Sequence, residues 1–166
     1  MSFIGIIANS KNFEGIKQCL CHKSMERPYQ IIHINAKSIE NIKNVKFDIV
    51  VITCLLENIL EQKNIIEKWC LEAKYIILNA DIAIPLKFLE QEKITVITYG
   101  LNQKSTVTIS SIQEEKVLIA LQRNFANLGG ETIEMGEREV LIDENTKLSP
   151  HDILVNSIIS LIYSEK

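Results

Sequence analysis

The chain has 166 residues, of which 46% are apolar and 23% charged, with a formal net charge of −3. That length suits one domain with a proper core. The mild acidity argues against nucleic acid as a partner, because phosphate backbones demand a concentrated basic surface. No apolar run reaches the ~20 residues that span a bilayer. The start lacks a cationic stretch followed by a long apolar run, so no signal peptide or membrane association is expected, and the cytoplasm is the expected compartment.

The opening stretch MSFIGIIANSKNFEG reads as a strand, Phe3–Ala8, a short polar loop and a helix. In nucleotide-binding proteins such a loop holds phosphate. Further short runs rich in Ile and Val follow at Tyr29–Ile34, Phe47–Thr53, Tyr75–Asn79 and Ile94–Thr98. Such runs suit strands buried on both faces of a parallel sheet, and the segments between them are long enough for crossover helices. The clearest helix is Leu55–Ala73, whose apolar residues, Trp69 and Cys70 among them, recur at three- and four-residue spacing. Pro85 fits the first turn of the next helix. Lys37, Lys43 and Lys46, and then Lys63, Lys68 and Lys74, alternate with glutamates and read as solvated helix faces.

The pattern changes after Gly100. STVTISSIQ, KVLIALQRNF and GGETIEMGEREVLID alternate polar and apolar residues and are broken by glycines, as in an antiparallel meander. A last helix runs from Pro150 to about Tyr163, capped by Ser149, with an apolar docking face. The expected fold is one α/β domain over residues 1–166. Its mostly parallel three-layer part covers about 1–100, and an antiparallel C-terminal meander with the final helix covers about 101–166.

Three stretches together resemble the central, ATP-binding domain of the Mur ligase family: FDIVVITCLLENIL, YIILNADIAIP and VITYGLNQKSTVTISSI. That family joins amino acids to nucleotide-linked muramyl precursors. Its strand ending Asp-x-x-x-x-Thr is similar to Asp48–Thr53, its Asn-Ala-Asp to Asn79–Asp81, and its Gly-Leu to Gly100–Leu101. The closing PHDILVNSIISLI is similar to the family's final His-Asn helix, and IGIIANSK to its strand and phosphate loop. The resemblance covers roughly Phe3 to Ile162 and implies a Mur ligase central domain-like fold.

The resemblance implies ATP chemistry only where the working residues remain. A phosphate loop needs glycines so that bare N–H groups can wrap phosphate, a lysine for the outer phosphates and a hydroxyl for Mg²⁺. Here Lys11 matches the lysine, but Ser10 replaces the preceding glycine and Asn12 the metal-binding hydroxyl, and the loop is one residue shorter. Ile31 or Ile32 stands where the family has a metal-holding Glu, Glu57–Asn58 where it has Asp-His, and Ile82 where it has a second Asp. Neither Lys68 nor Lys74 can be assigned the carbamylated-lysine role. Without these groups nothing offsets the charge of a transferring phosphoryl group.

The expectation is a non-catalytic protein acting as a binding, regulatory or scaffold module, with a link to cell-wall synthesis that comes from the resemblance alone. Enzyme activity is not expected, and neither are catalytic residues, a metal or a cofactor. A remnant of the nucleotide pocket is assigned by resemblance to Lys11, Asn79, Asp81, His151 and Asn156, with the spacing of Asn156 one residue too long. The alternatives are a small-molecule or nucleotide binder using the base-binding end of that pocket, and a remodelled ligase. On structural grounds alone Asn79 and Asp81 would cap a turn and His151 would sit exposed in a first helical turn.

Among other candidates, Cys19, Cys21 and His22 lack a second ligand cluster. His33 ends a buried strand, and Ser105, Ser110 and Ser111 lack a nucleophile context and are read as strand residues. Arg123 is expected either to pair with Glu134 or to bind an anion. A homodimer or another protein partner is expected through the meander around Thr132–Ile142 or through the last helix. The motive is an apolar surface left without flanking domains and a mean hydropathy above neutral, +0.09.

Overall fold

A computed structural model describes residues 1–21, 28–54, 61–83, 94–142 and 148–164. Its core is an eight-stranded mixed sheet. The elements are β1 (Ser2–Ile7), α1 (Ser10–Cys21), β2 (Tyr29–Ile34), α2 (Ile39–Ile42), β3 (Ile49–Ile52), α3 (Lys63–Glu72), β4 (Tyr75–Asn79) and β5 (Thr95–Tyr99). After these come β6 (Val107–Ile112), β7 (Lys116–Leu121), β8 (Phe125–Ala126), β9 (Thr132–Ile133), β10 (Gly136–Leu141) and α4 (Pro150–Ile162).

The spatial strand order is β10-β7-β6-β5-β4-β3-β1-β2, and β8 pairs with β9 in a separate two-stranded sheet. Strands β1 to β6 run parallel, β7 returns antiparallel to β6, and β10 turns back antiparallel to β7, in the direction of the first six. The chain steps from β1 to β2 on one side and then back past β1 to β3. That reversal is a topological switch point, and it opens a crevice beyond the C-terminal ends of β1 and β3.

Alternation along the strands divides the interior into two layers. Ile4, Ile6, Ile49, Val51 and Ile77 face the layer filled by α1 and α4, whereas Ile7, Val50, Ile52 and Ile76 face Phe47, Ile66, Trp69 and Cys70. All nine of those strand residues are buried, which explains why they read as unbroken apolar runs. Helix α4 presents Ile153, Leu154, Val155, Ile158, Ile159 and Ile162 to the sheet, all buried. It opens with a capping box in which the Ser149 side chain accepts the Asp152 N–H and the Asp152 carboxylate accepts the Ser149 N–H. Among the described residues no helix is long and apolar enough to cross a membrane.

Several expectations need adjustment. The long helix expected from Leu55 begins, in its described part, at Lys63, because Gln62 leaves helical geometry at φ −108°, ψ 22°. Residues 55–60, like Pro85 and His22, lie outside the described residues. Ser110 and Ser111 lie in β6, whose register shifts between Ile109 and Ser111, but Ser105 sits buried in the bend before that strand. Arg123 lies past the end of β7 and is exposed, and it forms no ion pair among the described residues. The contact to Glu134 comes instead from Arg138, whose Nη2 donates to the Glu134 carbonyl at 3.5 Å.

Candidate functional site

The turn between β1 and α1 contains only Ala8 and Asn9. Asn9 caps α1: its Oδ1 accepts the Asn12 N–H at 2.8 Å, and its carbonyl accepts the Phe13 N–H at 3.0 Å. The Ala8 N–H bonds back to the Ile34 carbonyl at 3.4 Å. His33 closes the turn from below. Its Nε2 lies 2.9 Å from the Ala8 carbonyl, which can only accept, and its ring stacks on Phe13 with centroids 4.1 Å apart. His33 is therefore a satisfied structural residue.

Beyond this turn a cleft of about 500 Å³ sits at the switch point. Lys11, Glu14, Gly15 and Gln18 of α1 form one wall, and His151 and Asp152 of α4 face them. Thr53, Asn79 and Tyr99 reach it from the C-terminal ends of their strands. The cleft thus brings Lys11, Asn79 and His151 together.

Asp81 joins them by touching His151, whose Nε2 lies 2.8 Å from Asp81 Oδ2. A carboxylate only accepts, so Nε2 carries the proton. Asn156 does not line the cleft. Its Nδ2 donates to the carbonyls of Asp152 (3.0 Å) and Ile16 (3.4 Å), which ties α4 to α1.

One hydrogen-bonded chain fixes the strand ends. Thr53 Oγ1 donates to the Ile7 carbonyl at 3.0 Å, Asn79 Nδ2 to the Thr53 carbonyl at 3.1 Å, and the Asp81 N–H to Asn79 Oδ1 at 3.0 Å. Asp81 also accepts from the Leu101 N–H at 2.8 Å and from Asn102 Nδ2 at 2.7 Å. Burial opposes ionisation of Asp81, but the bonds from Leu101, Asn102 and His151 outweigh it and hold the carboxyl below the usual carboxylate range. Gly100 makes room for this carboxylate, since a Cβ there would stand 2.6 Å from Asp81 Oδ1. The polar groups of Asn79 and Thr53 are spent inside the protein, as a turn-capping role requires.

Two cleft residues were missed in the sequence. Tyr99 is 1% exposed, and burial, with the charges of Asp152, Cys54 and Asp81, raises its phenol. Asp152 is 8% exposed and packs directly on Gly15, where a Cβ would collide with its carboxylate. The available signals were a tyrosine at a strand's C-terminal end and an acid three residues after a cap.

Among the described residues no group of three potential ligands could hold a metal ion. The Cys19 thiol, pushed up to about 12 by burial and by Asp152, is no nucleophile, and burial does the same to Cys70. Glu57 and Asn58 lie outside the described residues.

A second cavity of about 490 Å³ lies at the opposite, N-terminal ends of the strands. There Asp48 accepts from Ser2 Oγ (2.9 Å) and the Phe3 N–H (3.1 Å) and pairs with Lys74 (3.1 Å). These bonds also overcome burial and hold the Asp48 carboxyl low.

Comparison of the chain with protein-family models and with curated proteins returned no match.

Proposed function

We propose that the protein is a non-catalytic, Mur ligase central domain-like module that works by binding, as a regulator or scaffold. The observation that carries this reading is the closed β1–α1 turn. A phosphate loop offers unpaired N–H groups at a helix N-terminus, whereas here Asn9 already occupies the Asn12 N–H and Ile34 the Ala8 N–H. Lys11 remains at the cleft, but with Asn9 holding the Asn12 and Phe13 N–H groups and no glycine in the turn, one lysine is a poor substitute for a phosphate cradle. The link to cell-wall synthesis rests on the sequence resemblance. Calorimetry at millimolar Mg-ATP is expected to show neither binding nor hydrolysis. Micromolar binding that is lost in Lys11→Ala would overturn the reading.

A second reading, as a small-molecule binder, draws support from the cleft itself. Its volume of about 500 Å³ falls within the usual range for ligand sites, and it lies at the switch point of the sheet.

Association with a second protein chain is part of the proposal. The apolar face of α4 is covered by the sheet, so the surface proposed is the edge strand β10, which Met135 precedes and Leu141 ends, both exposed. A two-fold antiparallel pairing of β10 centred on Arg138 or Glu139 sets like charges opposite each other. Centring on Val140 avoids this among the residues of β10 that pair, with Glu139 opposite Leu141 of the second copy. Light scattering during size exclusion is expected to give twice the 18.9 kDa chain mass. A single 18.9 kDa species at high micromolar concentration would remove the support for a homodimer.

A further inference from the structure

We propose that the cleft between α1 and α4 takes a small molecule through a primary amine, whose ammonium group is held by Asp152 and the Tyr99 hydroxyl. The inference rests on the reading above that this cleft no longer handles phosphate.

Two polar groups at the cleft are almost wholly buried, and each keeps an oxygen that makes no hydrogen bond among the described residues. Tyr99 is 1% exposed, and among the described residues its hydroxyl makes no hydrogen bond, although buried phenols ordinarily find one. Asp152 is 8% exposed. Its Oδ2 accepts the Ser149 N–H at 3.2 Å, and among the described residues Oδ1 accepts nothing and no cation pairs with the carboxylate. Buried charges are normally paired. The capping box therefore accounts for one oxygen and leaves the other.

The absence of a side chain at Gly15 brings this carboxylate against the surface of α1. Its charge is felt around it, since it is the strongest charge acting on the Tyr99 phenol and it also raises the Cys19 thiol. A hydroxyl and a carboxylate oxygen, both open and both at one cavity, call for a donor of positive charge. An ammonium group supplies three N–H donors and the charge.

The remaining lining agrees with this choice. Glu14 on the cleft wall is paired with Lys17 at 4.0 Å, which leaves Asp152 as the lining carboxylate with no basic partner among the described residues. Asp81 engages His151 through Nε2, so that ring adds no free charge to the balance. An anion would meet the Asp152 carboxylate, and Asn9 already takes the Asn12 and Phe13 N–H groups of the α1 N-terminus.

The probe is putrescine, with 1,4-butanediol and succinate as neutral and anionic molecules of the same length, titrated calorimetrically into the intact protein. Putrescine is expected to bind, and the diol and diacid to bind at least about tenfold more weakly. Tyr99→Phe keeps the ring and deletes only the hydroxyl, and is expected to weaken putrescine about tenfold. Asp152→Asn keeps an oxygen for the Ser149 N–H, removes the charge, and is expected to abolish the preference for amine over diol. Thermal melts of both variants establish that they fold. The inference is overturned if putrescine binds no better than butanediol, or if neither variant changes that preference. Mg-ATP titrated in parallel separates the failures: tight ATP binding sinks the parent reading, whereas silence toward both ATP and putrescine sinks this inference alone.

Discussion

Trp69→Ala is expected to cost about 3–5 kcal/mol of folding stability, the range for deleting a large buried aromatic. Trp69 is 0% exposed and meets Phe47 edge-on, with ring centroids 5.3 Å apart at 83°. With Ile66 and Cys70 it forms the face by which α3 covers β1, β3 and β4, opposite the layer made by α1 and α4. Trp69 is the largest side chain of that layer among the described residues, so alanine leaves a cavity that the rigid parallel strands cannot collapse into. Whole domains are stable by only about 5–15 kcal/mol, so this variant should be marginal at 37 °C. Trp69→Phe is expected to lose much less. It keeps most of the ring, and among the described residues the indole N–H has no acceptor to lose. Urea unfolding followed by far-ultraviolet circular dichroism gives both values. A loss under about 1 kcal/mol for alanine would mean that α3 does not depend on this contact.

The parallel half was legible because residues buried on both faces must be apolar at every position. YIILN and FDIVVIT announce strands without any knowledge of their neighbours. Helix α4 was legible from Ser149-Pro150-His151-Asp152, whose capping chemistry is local and was found where the spacing put it. The turn at Asn79 and Asp81 was likewise readable, since an asparagine side chain accepting the N–H two residues on needs no tertiary information.

Position in the sheet was not legible. No local signal sets β1 between β2 and β3, so the place of the switch point and its cleft emerged only from the topology. Tyr99 and Asp152 escaped for the same reason, since they lie 53 residues apart in sequence and share a cavity only because α4 folds back across β5. Arg123 was misassigned because alternation continued on paper past Leu121, where β7 ends. The resemblance to a ligase domain singled out Lys11, Asn79 and His151, which the structure brings to one cleft. It had no means of flagging residues that the motif does not contain.

Asp81→Ala is expected to destabilise the protein by about 1–3 kcal/mol at neutral pH. The carboxylate collects three donors, the Leu101 N–H, the Asn102 amide and His151 Nε2, from the loop after β5 and the start of α4. Removing it strands all three. Bonds to charged groups contribute about 1.5–3 kcal/mol each where buried, but the Asp81 side chain is 25% exposed and solvent screening reduces the sum. The dependence on pH identifies the cause. Because the folded carboxyl is held below its ordinary value of 3.8, the native state favours the ionised form. Its stabilisation is fully present above that ordinary value and disappears as pH falls through the lower, folded one. Asp48 behaves in the same sense at the far end of the sheet, so the wild type should weaken steeply below about pH 4. Asp81→Asn should lose stability at pH 7 yet converge with the wild type near pH 2, where both side chains are uncharged. Unfolding midpoints at pH 7, 4 and 2.5 test this, with Asp48→Asn as the matched control. A deficit in Asp81→Asn that stays constant down to pH 2.5 would show that shape, and not the ionised carboxylate, holds the strand ends and His151 in place.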